Sequence, residues 1–119
     1  EALVMAVKSG VDLKRAWEAL KIGASESWCM HHDAPSVFQG HYDPSFTLDL
    51  CMKDLNLIVG ACDAAGTEAS VTRLVRDRFL KAQTTYGGDK GELHVVKLEE
   101  DAAGISLQME GDWVPHWQK

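Results

Sequence analysis

The stretch DPSFTLDLCMKDLNLIVGACDAA, residues 43–65, decides the fold because it predicts a long helix that is apolar over most of its surface. From Thr47 onward, its polar or side-chain-free residues recur every three or four positions and therefore form one row along a helix. This polar row consists of Asp49, Lys53, Asn56, Gly60 and Asp63. The apolar positions fall on two further faces. One contains Leu48, Cys51, Met52, Leu55, Ile58, Val59 and Cys62, and the other Leu50, Leu57, Ala61 and Ala64. We therefore expect the helix to be surrounded by protein.

The remaining sequence predicts further helices, separated mainly by glycines. They cover residues 1–8, 13–22, 25–38 with a break or kink at Pro35, 67–86 and 93–100. In the helix over 67–86, a buried stripe is predicted from Val71, Leu74, Val75, Phe79 and Ala82. Beyond Gly104 the brief alternation of apolar residues fits one edge strand or an extended arm. The chain is therefore predicted to be an all-α helical domain over 1–103 with a C-terminal tail over 104–119.

Composition narrows the function classes. The chain has 119 residues, enough for one domain, and a formal net charge of −6, which disfavours nucleic acid and anionic membranes as partners. No apolar run approaches the roughly 20 residues that span a bilayer, and no signal peptide is evident, so we expect a cytoplasmic protein. Because the first helix starts at Glu1 without a capping residue, we expect the chain to be cut from a longer protein.

Cysteine and histidine placement argues against disulfides and metals. Of the three cysteines, Cys51 and Cys62 lie three turns apart on one helix, beyond disulfide reach, so reduced and buried thiols are expected. The five histidines are scattered, and no metal site is predicted. We expect Trp17 and Trp28 to fill the core, and Trp113 and Trp117 to contact another surface.

Lys53 is the best single candidate for a functional group, because a cation on a buried helix is costly unless an anion meets it. That anion could be a ligand, with Asp49, Lys53 and Asn56 lining a cleft shared with another domain. The alternative is a structural salt bridge from Lys53 to Asp49, one turn earlier. No complete catalytic constellation is present in the 119 residues, so no catalytic residue is assigned.

The pattern Phe46-x-x-Asp49-x-x-x-Lys53-Asp54-Leu55 resembles the Lys-Asp-Leu segment of the β-hydroxyacid dehydrogenases, the NAD(P)-dependent 3-hydroxyisobutyrate and tartronate-semialdehyde reductases. Glu1-Ala2-Leu3 before Gly10-Val11-Asp12 resembles the end of their interdomain helix, and the turn at 87–91 also matches. The resemblance covers residues 1–100. It implies the all-α C-terminal domain of 6-phosphogluconate dehydrogenase type, which follows a Rossmann domain.

The resemblance also implies roles for individual residues. Lys53 matches the lysine that approaches the nicotinamide end of NAD or NADP, and Phe46 and Asp49 match positions near the interdomain cleft. The catalytic lysine of the family's Lys-x-x-Asn motif and its glycine-rich loop would lie upstream of Glu1. The parent would exchange a hydride between the cofactor and a short β-hydroxyacid, whereas this chain alone would be inactive. Assembly into a homodimer or homotetramer through this domain is expected.

A second hypothesis is a non-catalytic helical module, for oligomerisation or partner binding, of a dehydrogenase-like protein. Imine reductases and 6-phosphogluconate-type enzymes have related helical domains, but the segment from Phe46 to Leu55 is more similar to the short-hydroxyacid branch. The two hypotheses differ at the Lys-x-x-Asn position upstream of the chain.

Overall fold

A computed structural model describes residues 1–113 of the chain. Within these residues there are seven helices and no strand, which confirms the predicted all-α class. The helices are α1 (Ala2–Lys8), α2 (Leu13–Lys21), α3 (Trp28–His32), α4 (Ala34–Phe38), α5 (Leu48–Ala65), α6 (Ser70–Tyr86) and α7 (His94–Ala103). The chain divides into two compact units, one of residues 1–43 with 96–119 and the other of residues 44–95. The prediction of a domain boundary near residue 103 remains a prediction.

Short polar residues set the helix starts in the first unit. The Asp12 carboxylate accepts a hydrogen bond from the Arg15 backbone N–H (3.0 Å) and so caps α2. Ser27 caps α3 in the same way. Pro35 stands in the first turn of α4, where its missing N–H costs nothing, so the helix predicted over 25–38 is broken into two.

The core of the first unit is aromatic. Trp17 and Phe38 are buried and meet edge to face, with ring centroids 5.2 Å apart, and the Trp17 indole N–H donates to the Met30 carbonyl (2.7 Å). Trp17 therefore fills the core as predicted. Trp28 does not: 59% of its surface is exposed, because α3 is only five residues long and turns this side chain outward.

The described part of the tail is an extended arm that packs on the first unit. Leu107 is buried, and its backbone N–H donates to the buried carboxylate of Glu100 (2.6 Å), which also accepts from the Tyr42 hydroxyl (2.5 Å). Trp113 contacts Trp17 and Phe38 edge to face. Of the two tail tryptophans, Trp117 lies outside the described residues.

In the second unit, α5 and α6 pack side by side, and the buried residues are fewer than the sequence predicts. Those on α5 are Leu48, Cys51, Met52 and Val59, and on α6 only Ala82. The expectation that α5 is surrounded by protein is wrong for the described chain, since Leu50, Leu57 and Ile58 are exposed. The buried stripe predicted for α6 is also wrong at Val71, Leu74 and Val75. Periodicity identifies an apolar face, but covering that face requires a partner.

Candidate functional site

The polar row of α5 is a solvent-exposed surface. Asp49, Lys53 and Asn56 are all exposed, and 61% of the Lys53 side chain is accessible. The Lys53 ammonium lies 3.3 Å from Asp54 Oδ1. The predicted Lys53–Asp49 salt bridge is therefore wrong, as is the premise that Lys53 is buried. An exposed ion pair between neighbouring residues is worth only about 0–1 kcal/mol, so the ammonium can turn toward another anion at little cost.

The Asp49 carboxylate is hydrogen-bonded to a residue of α6. The Gln83 side-chain amide donates to Asp49 Oδ1 at 2.7 Å. At the other end of the polar row, the Arg73 guanidinium contacts Asp63 Oδ1. Asp49, near the start of α5, contacts Gln83, near the end of α6. Asp63, near the end of α5, contacts Arg73, near the start of α6. The two helices are therefore antiparallel. These contacts define the polar side of the α5–α6 hairpin.

A loop of residues 87–92 covers the start of α5. The Leu48 N–H donates to the Lys90 carbonyl (2.8 Å), the Asp49 N–H to the Gly88 carbonyl (3.0 Å), and the Thr47 hydroxyl accepts from the Leu50 N–H (3.3 Å). These three N–H groups are among the four that a helix leaves without internal partners. These three N–H groups are therefore satisfied within the chain.

Phe46 anchors the same loop through its backbone. Its carbonyl accepts from the Glu92 N–H at 2.8 Å, and the Phe46 side chain is half-buried. Backbone hydrogen bonds to the loop thus place both Phe46 and Asp49 beside it. Lys53 and Asn56 follow one and two turns further along α5 on the same side.

Gly88 is a site residue that sequence reasoning missed. A Cβ at this position would lie under 3.0 Å from three atoms of the Asp49 carboxylate, Oδ1, Cγ and Oδ2. Gly87 beside it has φ +104, a backbone conformation that favours glycine. The consecutive glycines Gly87 and Gly88 were the sequence signal from which this close approach of the loop to Asp49 could have been predicted. Gln83 had no comparable signal, because nothing local marks which helix residue will face Asp49.

Cys51 lies next to this region, but its thiol is not expected to be reactive. Burial, together with the neighbouring Glu92 and Asp54 carboxylates, raises the pKa of the Cys51 thiol to about 12. A thiol that stays protonated at neutral pH is a poor nucleophile and a poor metal ligand. Cys29, by contrast, is exposed, so the expectation of buried thiols is wrong for it. Among residues 1–113, no group of three or more histidine, cysteine, aspartate or glutamate side chains is arranged to hold a metal ion.

The site therefore presents the Lys53 ammonium, the Asp49 carboxylate and the Asn56 amide on one exposed surface of α5. Lys53 is the group of this row that can meet an anion, and the Asn56 amide can both donate and accept hydrogen bonds. In the part of the chain that the structure describes, no helix is long and apolar enough to cross a membrane.

Comparison with known proteins identifies the family. The sequence model of the NAD-binding domain of NADP-dependent 3-hydroxyisobutyrate dehydrogenase matches residues 1–99. The chain belongs to this family. The resemblance found in the sequence is thereby confirmed, and the cofactor class of the family is NAD or NADP.

Curated relatives in the 3-hydroxyisobutyrate dehydrogenase family are oxidoreductases. L-threonate dehydrogenase of Cupriavidus necator is 22% identical over 98 residues, which are 82% of this chain and 33% of the relative. The probable 3-hydroxyisobutyrate dehydrogenase-like 1 of Arabidopsis thaliana, a mitochondrial protein, is 26% identical over 91% of this chain and 32% of its own length. Glyoxylate/succinic semialdehyde reductase 1 of the same plant is 29% identical over 75% of this chain. The chain thus spans about a third of the length of such relatives.

Proposed function

We propose that this chain is the C-terminal helical domain of an NAD(P)-dependent dehydrogenase that interconverts a short 3-hydroxyacid and its semialdehyde. The observation that carries the proposal is the family match over residues 1–99, which includes the exposed polar row with Lys53. The domain would close a cleft in which the upstream part of the protein holds most of the cofactor. The family resemblance also favours a protein that forms a homodimer or homotetramer, and we keep the cytoplasmic location predicted from the sequence as part of this proposal.

Lys53 would contact the cofactor. Its exposed ammonium, which pairs with the adjacent Asp54, can neutralise an anionic group brought into a drier closed cleft. A bound nicotinamide supplies the chemistry of accepting or donating a hydride. Asn56 would add a hydrogen-bonding amide one turn further on, and Phe46 an apolar wall. Asp49, fixed by Gln83, would keep the start of α5 in register with its covering loop.

The general acid–base is assigned to a lysine outside this chain, in the family's Lys-x-x-Asn motif. A general acid must reach the alcohol oxygen and change protonation near neutral pH. We therefore expect the chain alone to have no dehydrogenase activity.

The deciding experiment is a fluorescence titration of the full-length protein with NADH and with NADPH. Enhanced or quenched nucleotide fluorescence that saturates supports the dehydrogenase and identifies the preferred cofactor. A folded full-length protein that binds neither nucleotide contradicts the proposal. It would favour the second candidate, a non-catalytic oligomerisation or partner-binding module, for which the exposed apolar side chains of α5 and α6 already argue.

A further inference from the structure

The arm, by which we mean residues 104–113, lies beyond the residues 1–99 that match the dehydrogenase family. Its side chains alternate in exposure along the chain. Those that are buried or half-buried are Ile105, Leu107, Met109 and Trp113, and those that are exposed are Ser106, Gln108, Glu110 and Asp112. A period of two is that of a β-strand. The arm thus has the side-chain pattern of a single strand, with one face on the first unit and the other in solvent.

The backbone of the arm is bonded to the first unit along one edge. The Leu107 N–H donates to the Glu100 carboxylate (2.6 Å), and the Met109 N–H donates to the Phe38 carbonyl (3.0 Å). In an extended chain the backbone groups of alternate residues point to opposite edges, so those of Gln108 are directed away from this contact. We call that side the open edge of the arm.

The open edge has few hydrogen bonds. The Gln108 N–H reaches the hydroxyl of Ser106 in the same segment (3.1 Å). Among residues 1–113, no partner bonds the Gln108 carbonyl or the backbone groups of Glu110. An exposed strand edge with unpaired backbone groups is a template for pairing with a further strand.

A groove between the arm and the start of α2 leaves room for such a strand. Its volume is about 600 Å³, within the range of roughly 300–1,000 Å³ that is common for ligand sites. Residues 12–14 form one wall and residues 108–113 the other. The groove has three acidic side chains, Asp12, Glu110 and Asp112, against one basic side chain, Lys14. It therefore favours a positively charged occupant.

A hydrogen-bond acceptor is also missing at the end of this groove. The Trp113 indole N–H is buried and has no acceptor among the residues that the structure describes. A buried donor without an acceptor costs about 1–3 kcal/mol. An extended segment bound along the arm brings backbone carbonyls to this end, and each carbonyl is an acceptor.

We propose that the arm binds an extended, basic segment of another protein, which lies in the groove beside α2 as a neighbouring strand. Its backbone would pair with Gln108 and Glu110, and its lysine or arginine side chains would meet the Glu110 and Asp112 carboxylates. The arm of a second copy is a less suitable occupant, because it carries the same two carboxylates and would be repelled. The inference goes beyond the dehydrogenase proposal and does not depend on it, since the arm lies outside the matched residues.

The test is fluorescence anisotropy of labelled peptides titrated with the full-length protein. The first peptide alternates lysine and valine, the second has glutamate in place of lysine, and the third has the sequence of residues 104–113. A fourth is the lysine–valine peptide with alternate backbone nitrogens methylated, which removes the donors that pair with the arm. We expect the unmethylated lysine–valine peptide to bind and the other three to bind at least tenfold more weakly.

Charge reversal on the protein locates the site. Glu110→Lys and, independently, Asp112→Lys should each raise the Kd of the lysine–valine peptide roughly tenfold. Glu18→Lys is the matched control, since Glu18 is exposed on α2 outside the groove and the change in net charge is the same. Circular dichroism verifies that each variant is folded.

Four outcomes overturn the proposal. One is a folded wild-type protein that does not bind the lysine–valine peptide. Another is equal Kd values for Glu110→Lys, Asp112→Lys and Glu18→Lys, which would place the basic peptide elsewhere. Equal binding of the methylated peptide would show attraction of charges without strand pairing. Tighter binding of the peptide with the arm's own sequence would make a second copy the occupant.

Discussion

Gly88 lies against the Asp49 carboxylate where the covering loop meets α5. A Cβ at position 88 would be under 3.0 Å from three atoms of that carboxylate, while the Asp49 N–H donates to the Gly88 carbonyl at 3.0 Å. The side chain and the backbone of Asp49 thus both meet one glycine. A side chain at position 88 therefore requires the exposed Asp49 carboxylate to move.

Gly88→Ala should therefore destabilise the protein by about 0.5–1.5 kcal/mol, since the added methyl must push the exposed Asp49 carboxylate out of its hydrogen bond with Gln83. Urea unfolding measures the difference. Gly60→Ala is the matched control: a Cβ there meets nothing within 4 Å in the middle of α5, so it should stabilise by about 0.5–1 kcal/mol. Equal effects of the two substitutions would contradict the close approach.

Gln83 and Asp49 should be energetically coupled. A hydrogen bond from an amide to a carboxylate contributes about 0.5–1.5 kcal/mol net when partly solvated. We expect a double-mutant cycle of Gln83→Leu and Asp49→Asn to give a coupling energy in this range. The mismatched pair Gln83→Leu with Asp12→Asn should give additive effects, because Asp12 caps a different helix. Additivity in the first cycle would show that the contact contributes nothing.

Lys53→Met in the full-length protein should weaken nicotinamide nucleotide binding, with little effect on the free energy of unfolding, because the Lys53–Asp54 pair is exposed. Loss of one charge contact to an anionic ligand corresponds to roughly a tenfold rise in Kd. Lys97→Met is the matched control, since Lys97 also forms one exposed pair with an aspartate, Asp101 at 3.1 Å. Identical Kd values for both variants and wild type would remove Lys53 from the cofactor site.

The Cys51 thiol should make stability fall at alkaline pH. Its pKa is raised from 9.0 to about 12, so in the folded protein it stays protonated where the unfolded chain already ionises. The folded state then binds more protons, and the free energy of unfolding decreases as pH rises from 9 toward 12. Below pH 9 the thiol is protonated in both states and contributes no slope.

Urea unfolding of wild type and Cys51→Ala across this pH range tests the effect, and the variant should have the shallower decrease. A thiol-reactive dye at pH 8 gives a second readout: the exposed Cys29 should react rapidly, and Cys51 only on unfolding. Rapid labelling of Cys51 in the folded protein would contradict its burial.

Glu100 should be critical for attachment of the tail. Glu100→Ala leaves the Tyr42 hydroxyl and the Leu107 N–H without their buried acceptor, at a cost of about 1–3 kcal/mol for each group. Limited proteolysis should then cleave the tail after Gly104 faster. Glu110→Ala, at an exposed tail position, should leave the cleavage rate unchanged. Equal cleavage rates for the two variants would show that Glu100 does not hold the tail.

The sequence predicted local structure well where the signal was local. The stretch over 43–65 predicted one long helix, and α5 (Leu48–Ala65) is that helix. The partner of the Asp49 side chain was predicted incorrectly. Lys53 is the nearest charge to Asp49 along the helix, yet Asp49 is bound by Gln83, 34 residues away. Sequence distance does not report the distance between α5 and α6.

The sequence by itself determined the helical class, the polar row and the family, because helical period, capping residues and the Lys53-Asp54-Leu55 segment are all readable from neighbouring residues. Tertiary structure alone decided that Gly88 lies against the Asp49 carboxylate, that Gln83 donates to Asp49, and that Ile58 and Leu74 are exposed to solvent. The reason is physical. Periodicity fixes which residues share a side of one helix, whereas burial and hydrogen bonding depend on what the packing of α5, α6 and the loop over 87–92 places opposite that side.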